Sequence, residues 1–403
     1  MPTYLSRLIS GVLLATVMGC SFGNISKLRD GTTLREENFT TTIPFVTKSR
    51  LQVVTVYVEG VPLEFIWDTG ASYTVLTAEG AAKINAEEVG SNSIRDSQGN
   101  VKKSPLVLIP EVKLGDLHFE EVLAAVIDYP ENSAVRCVAY DGILGQNAIR
   151  RAQWTSDYTT NTFTVTDQPL EAGEGDLVAS FSQNRRPLVT LNVGDKTVSN
   201  ILLDTGSGGA IDLPADVKDK LNDDLFLYPE LTYIDGTSQG VFGAGLDTSK
   251  ECFPKYFAVD SVEVPGMIIS FQENEKGKIG QQVLRMWDRV SLDHINQQII
   301  FHGAQKKAKE PKSFWLGLSK SGDYITVGSL LEEHLNHENG LRRGDTLTAL
   351  NGVPLPDFKD YCEFYEWQLS TFRGEQDSLQ ATMIDGKEVL LTKSLPLFPI
   401  EGE

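Results

Sequence analysis

The chain has 403 residues, 41% hydrophobic and 23% charged, with 35 Gly and 17 Pro. That length is too great for one ordinary core, and the composition excludes a membrane bundle or a disordered tail in favour of a turn-rich globular protein of two or three units. The formal net charge of -19 excludes nucleic acid as a partner, because affinity for phosphate backbones rests on Lys and Arg displacing counterions.

At the N-terminus, Arg7 precedes an apolar run from Leu8 to Val17, interrupted by Ser10, Gly11 and Thr16 and followed by Met18-Gly19-Cys20. The run is far short of the ~20 residues that span a bilayer, so residues 1–20 read as a signal peptide. Its ending resembles a bacterial lipobox. That resemblance implies cleavage before Cys20, lipidation of its sulfur, residues 21–42 as a polar tether, and an exported protein anchored to a membrane. Ser21, rather than Asp, leans towards the outer membrane. An ordinary secretory peptide or an uncleaved anchor is the alternative.

The remaining cysteines, Cys137, Cys252 and Cys362, form no CxxC pair. One disulfide suits an oxidising compartment, and the odd count defines no framework. His334-x-x-His337 has no Cys beside it in sequence and reads as a solvated loop, so no metal and no cofactor are expected.

An internal repeat organises the middle of the chain. Thr55-Val56-Tyr57-Val58, a turn and Phe65-Ile66-Trp67-Asp68-Thr69-Gly70-Ala71 recur as Thr190-Leu191-Asn192-Val193, a turn and Ile201-Leu202-Leu203-Asp204-Thr205-Gly206-Ser207. Ile143-Leu144-Gly145-Gln146 recurs as Lys278-Ile279-Gly280-Gln281 at nearly the same interval. Between these landmarks, short alternating or apolar runs (Leu51 to Val58, Leu106 to Ile109, Val122 to Ile127, Tyr256 to Val259) separated by Gly, Pro, Asn and Asp have strand periodicity. Helical signals are confined to Thr77 to Ile84, Pro214 to Leu221 and the segments after each Gly-Gln. Each half is therefore a mainly β lobe: 43–166 and 187–303, joined by 167–186. The Lys-rich stretch 304–313 reads as a hydrated linker to a third unit, 314–396.

A lone Asp-Thr-Gly arises by accident on the order of 0.1 times in a chain this long. Here three apolar residues deliver each Asp from a buried strand, and the second copy occupies the equivalent place. With these motifs the sequence resembles the retropepsin and pepsin clan of aspartic peptidases over Ile43 to about Gly303. The resemblance implies a bilobed acid-protease fold with pseudo-twofold symmetry, in which Asp68 and Asp204 face each other. It also implies that Thr69 and Thr205 bond to the opposite loop, and that Leu144, Gly145, Ile279 and Gly280 buttress both loops from beneath.

The residue types suit the chemistry. Two carboxylates about 3 Å apart hold one proton between them, one acting as base and the other as acid towards a water that attacks a peptide carbonyl. Gly70 and Gly206 permit close backbone approach or unusual dihedrals. Ala71 and Ser207 break the symmetry, and since only Ser207 has a hydroxyl to donate, Asp204 is expected to be the more acidic member. Hairpins around Ser97 and Gly99, and around Thr237 and Gly240, are candidate flaps over an extended peptide; simple surface hairpins are the alternative. Lys278, standing where the first half has Ile143, departs from the family's apolar buttress.

From Phe314 onward, Leu316-Gly317-Leu318, Gly340-Leu341-Arg342-Arg343-Gly344-Asp345 and Asn351-Gly352 resemble a bacterial PDZ domain, a small α+β or β unit. The resemblance implies that the Leu316-Gly317-Leu318 turn offers backbone N–H groups to the carboxylate of a C-terminal peptide ligand. The expected function is an aspartic endopeptidase acting on peptides or unfolded protein segments. The alternatives are a catalytically silent peptide-binding adaptor lipoprotein, or structural carboxylates paired with Lys or Arg.

Overall fold

The computed structural model describes residue 28 and residues 30–396, other than 265, 274–275 and 308–311. Cys20 and the signal segment lie outside the described residues.

The chain is mainly β, and its two halves repeat one scheme of pairing. In the first, Leu51–Val58 and Val61–Trp67 form a hairpin; in the second, Arg186–Val193 and Lys196–Leu203 do the same. Alternate residues of Arg186–Val193 are buried, as a period of two requires of a strand with one face in the core. Beside each hairpin lies a short parallel strand, Gly142–Leu144 in the first half and Lys278–Ile279 in the second. Each short strand is also antiparallel to the strand that follows Asp-Thr-Gly, namely Thr74–Thr77 or Ile211–Pro214. These in turn pair in parallel with Leu117–Ile127 and Ile269–Gln272.

A six-stranded sheet joins the halves, in the order Leu177–Ser180, Gln298–His302, Arg289–Asp293, Gln153–Asp157, Thr162–Thr166, Thr40–Pro44. At its centre, Thr155 Oγ1 and Ser291 Oγ, which are 136 residues apart in sequence, meet at 2.7 Å. The same interval separates the two Asp-Thr-Gly motifs, so equivalent positions of the two halves meet at both places. Trp67, Trp154, Phe163, Trp287 and Phe301 belong to one continuous core beneath the two halves.

Two segments are more structured than expected. The connection 167–186 contributes the edge strand Leu177–Ser180 to the shared sheet. The expected tether is packed from Thr32 onward: Thr32 is buried and donates to Glu121 O at 3.1 Å, and Thr40–Pro44 pairs with Thr162–Thr166. Its threonines are β-branched and suit an edge strand, which overrides their polarity.

The C-terminal unit has its own core, including Phe314, Val327, Leu341, Phe364 and Leu391. Its helix Tyr361–Arg373 starts at Asp360, which accepts the Glu363 N–H at 2.9 Å, while Glu363 accepts the Lys359 N–H at 2.7 Å. This unit is fastened to both halves. Its strand Tyr324–Leu331 pairs with Leu231–Gly240 of the second half at Tyr233↔Leu331 and Ile234↔Leu330. Cys362, on the helix, is disulfide-bonded to Cys137 on the first-half helix Ala134–Val138. Cys252 remains a buried free thiol.

His334 does not lie in a solvated loop. It is fully buried, accepts the Asn336 N–H at 3.2 Å and meets Ser394 Oγ at 2.9 Å, a helix cap whose burial pushes its pKa down to about 4. In the Lys-rich linker, the Lys306 N–H donates to Met286 O at 2.7 Å and its exposed ammonium lies 2.9 Å from Asp288. Among the described residues no helix is long and apolar enough to cross a membrane.

Candidate active site

Asp68 and Asp204 emerge from the ends of Val61–Trp67 and Lys196–Leu203. Their loops are fixed from below: Asp68 N–H donates to Leu144 O at 3.1 Å, and Asp204 N–H to Ile279 O at 2.9 Å. Gln146 N–H and Gln281 N–H close the same loops by donating to Ala71 O and Ser207 O, each at 2.8 Å. Leu144, Gly145, Ile279 and Gly280 thus all sit beneath the two loops. The Lys278 departure leaves this frame intact, because the supporting bonds come from the backbone.

The loops cross through their threonines. Thr69 N–H donates to Thr205 Oγ1 at 2.9 Å, and Thr205 N–H to Thr69 Oγ1 at 3.0 Å. Each hydroxyl then donates to the opposite strand, Thr69 Oγ1 to Leu203 O at 2.6 Å and Thr205 Oγ1 to Trp67 O at 3.0 Å. Both threonines are buried, so these bonds are shielded from water.

This crossing brings the two carboxyl groups into mutual hydrogen bonding. A Cβ on Gly70 would collide with the Asp204 carboxylate, and one on Gly206 with that of Asp68. Neither glycine has positive φ; their smallness, not an unusual dihedral, is what the site requires. Asp68 Oδ1 accepts the N–H groups of Gly70 at 2.6 Å and Ala71 at 3.1 Å, and Asp204 Oδ1 that of Gly206 at 3.0 Å.

Burial, and then the charge of Asp204, hold the Asp68 carboxyl well above the usual carboxylate range. Burial raises Asp204 as well, but the Lys278 ammonium, the hydrogen bond from Asp68, the Gly206 N–H and the Arg186 guanidinium all oppose it. Both carboxyls are thus held above their usual range, Asp68 the further, so the pair retains a proton. The largest opposing influence on Asp204 is the Lys278 ammonium and not Ser207, whose Oγ accepts the Gly209 N–H at 3.4 Å.

Residues 54–148 match an aspartyl protease family. The match spans Asp68, Thr69, Gly70, Leu144 and Gly145 and ends before the second half. No curated protein matches the chain.

Sequence reasoning missed two residues near the carboxyl pair. Arg186, placed in the connection, donates to Gly70 O at 3.2 Å and bears on Asp204. Tyr129, in the first half, is buried, and its hydroxyl has no hydrogen-bond partner among the described residues. Burial, reinforced by the charge of Asp68, pushes its phenol up. Neither stands next to a motif, so no local signal marked them.

The first candidate flap places Ser97 and Gly99 in the turn between Glu88–Arg95 and Val101–Leu114, with Gly99 at φ 81. In the second, Thr237 and Gly240 lie within the strand Leu231–Gly240, and the tip is Gly240 to Gly243. A register shift between Tyr233 and Gly236 takes up Ile234 and Asp235, while Gly243, at φ 131, lies in the turn. The tips meet: Phe242 N–H donates to Asp96 Oδ2 at 3.3 Å, and Phe242 packs into a first-half cluster with Tyr129 and Ile143.

Leu316, Gly317 and Leu318 do not form a turn. They begin the strand Leu316–Ser321, and the Leu318 N–H is already given to Gln368 Oε1 of the helix at 2.8 Å. Among the described residues, no group of three or more His, Cys, Asp or Glu could hold a metal ion.

Proposed function

We propose that this chain is an aspartic endopeptidase of the bilobed acid-protease fold, hydrolysing extended peptides or unfolded segments between the two lobes. The observation that carries the reading is the pair of carboxyl groups, Asp68 and Asp204, brought together by the threonine crossing.

A water between the carboxyls is the nucleophile. Asp204, the ionised member, takes its proton as its oxygen bonds to the peptide carbonyl carbon, and Asp68 gives its proton to the carbonyl oxygen. The roles then reverse: the C–N bond breaks and the amine leaves with the proton gained by Asp204. The hairpins around Ser97 and Gly240 close over the substrate backbone.

The C-terminal unit is proposed to be PDZ-like, and here it is a brace across the cleft as well as a partner-binding module. A Cys137–Cys362 disulfide suits an oxidising compartment, which supports export with Cys20 as the lipid anchor.

Assaying a peptide library with the purified chain across pH 3 to 7 tests the proposal. Asp68→Asn and Asp204→Asn should each lower kcat/KM by about 10²- to 10⁴-fold or more. Undiminished cleavage by either variant would reject it. A silent adaptor would bind the same peptides without turnover in the wild type.

A further inference from the structure

The strands around the carboxyl pair alternate between two faces. In the second half Leu203, Ile211, Ile269, Ile279 and Cys252 belong to the main core. Their sequence neighbours Leu202, Asp212, Ser270, Lys278 and Glu251 therefore share the opposite face. Backbone register sets these five side by side: Lys278 is opposite Leu202 and Asp212, Asp212 is opposite Ser270, and Ser270 is opposite Glu251.

The first half has the same row in different residues. Ile143 is opposite Ile66 and Val75, Val75 is opposite Ala125, and Ala125 is opposite Leu106. All five belong to one apolar cluster that reaches Ala71 and Tyr73, just after the first Asp-Thr-Gly.

Four of the five sites thus switch from apolar to polar between the halves. In the second, Lys278 Nζ lies 3.0 Å from Asp212 Oδ2. Ser270 Oγ donates to Glu251 Oε2 at 2.6 Å, and Ser249 Oγ to Glu251 Oε1 at 2.5 Å. Lys278 is 7% and Glu251 5% exposed. Burying these groups costs desolvation, and the first half shows that the same sheet closes with apolar residues. Stability gives no reason for the polar row; its place does, since it begins at Lys278, whose charge bears directly on Asp204.

Resting on the peptidase reading, we infer that the cleft is two-sided: the first half's row receives an apolar side chain beside the scissile bond, and the second half's row a side-chain amide. A lysine ammonium next to carboxylates offers donor and acceptor together. That is the complement of Gln or Asn, which carry one carbonyl oxygen and one NH₂.

Four matched peptides test this, with Leu/Leu, Leu/Gln, Gln/Leu or Gln/Gln flanking the cleavable bond. One of the two mixed peptides should exceed Leu/Leu in kcat/KM by about tenfold or more, and the other should not. The double substitution Lys278→Ile with Asp212→Val copies Ile143 and Val75 and removes both charges at once, so it should return the preference to Leu/Leu. Wild-type cleavage of Leu/Leu at least as fast as both mixed peptides overturns the inference and leaves the peptidase reading standing. So does an unchanged ranking in a folded double variant. Cleavage of none of the four, or of any library peptide, removes the inference together with the peptidase reading. If the double variant fails to fold, the wild-type ranking decides.

Discussion

Thr69 and Thr205 exchange hydrogen bonds, each accepting the other's backbone N–H and donating its hydroxyl to the opposite strand. Two residues thereby set the separation of two carboxyl groups that they do not themselves touch with a side-chain bond. Thr205→Ala removes the acceptor for the Thr69 N–H and the donor to Trp67 O, and each buried group left unsatisfied costs about 1 to 3 kcal/mol. The variant should unfold at lower urea and lose cleavage, and Thr205→Ser, which keeps the hydroxyl, should recover most of both. Urea titration with peptide kinetics measures this; an Ala variant as stable as wild type would show that the crossing does not hold the halves.

The features legible in the sequence are those with local causes. The duplicated Asp-Thr-Gly, each after three apolar residues, located the strand ends, and alternation located Leu51–Val58. What stayed hidden depends on residues far apart in sequence. Lys278 looked only like a weakened buttress, because its partner Asp212 is brought beside it by strand register. The pairing of Cys137 with Cys362, 225 residues away, was undecidable while Cys252 was an equal candidate. His334 was misread because its burial comes from packing against the C-terminal segment at Ser394, which no neighbouring residue announces.

Tyr129 offers a test in which stability and activity move in opposite directions. Its hydroxyl is buried without a hydrogen-bond partner among the described residues and senses Asp68. Tyr129→Phe removes an unsatisfied polar group, so the protein should be as stable as wild type or more so, by up to about 1 to 3 kcal/mol. If the hydroxyl bonds to substrate or to the attacking water, kcat/KM should fall about tenfold. Thermal melts and peptide kinetics on the same preparation read both, and unchanged kinetics would make Tyr129 a packing residue only.

Glu251 predicts a pH dependence of known sign. Burial raises its pKa from 4.5 to about 7, so between those values the folded chain holds a proton that the unfolded chain has lost. The group's contribution to stability is whole below about pH 4.5 and is lost as the pH rises through about 7. Glu251→Gln carries no charge at any pH and should gain on wild type by on the order of 3 kcal/mol between pH 4.5 and 8. His294 and His334, both pushed down to about 4 by burial, titrate alike in the two proteins and cancel in the difference. Melting temperatures at the two pH values check this, and a constant difference would place the Glu251 carboxyl in water.

The disulfide ties the C-terminal unit to the first half. Besides Cys137–Cys362, the unit is held by two strand pairings to Leu231–Gly240, by the buried cluster of Leu231, Phe253 and Leu331, by bonds such as Thr232 N–H to Glu333 at 2.7 Å and Tyr365 Oη to Ser49 Oγ at 3.1 Å, and by helix packing. Closing a loop of 225 residues restricts the unfolded chain by about 5 kcal/mol on the chain-entropy model, in addition to what these contacts supply. Dithiothreitol, or Cys137→Ser, should therefore lower the melting temperature and speed protease nicking within 304–313. Because the hairpin that ends at Gly240 is an extension of the same sheet, freeing the unit should also loosen that hairpin and raise KM more than it lowers kcat. Identical melting, nicking and KM in the oxidised and reduced protein would mean that the non-covalent contacts alone keep the brace in place.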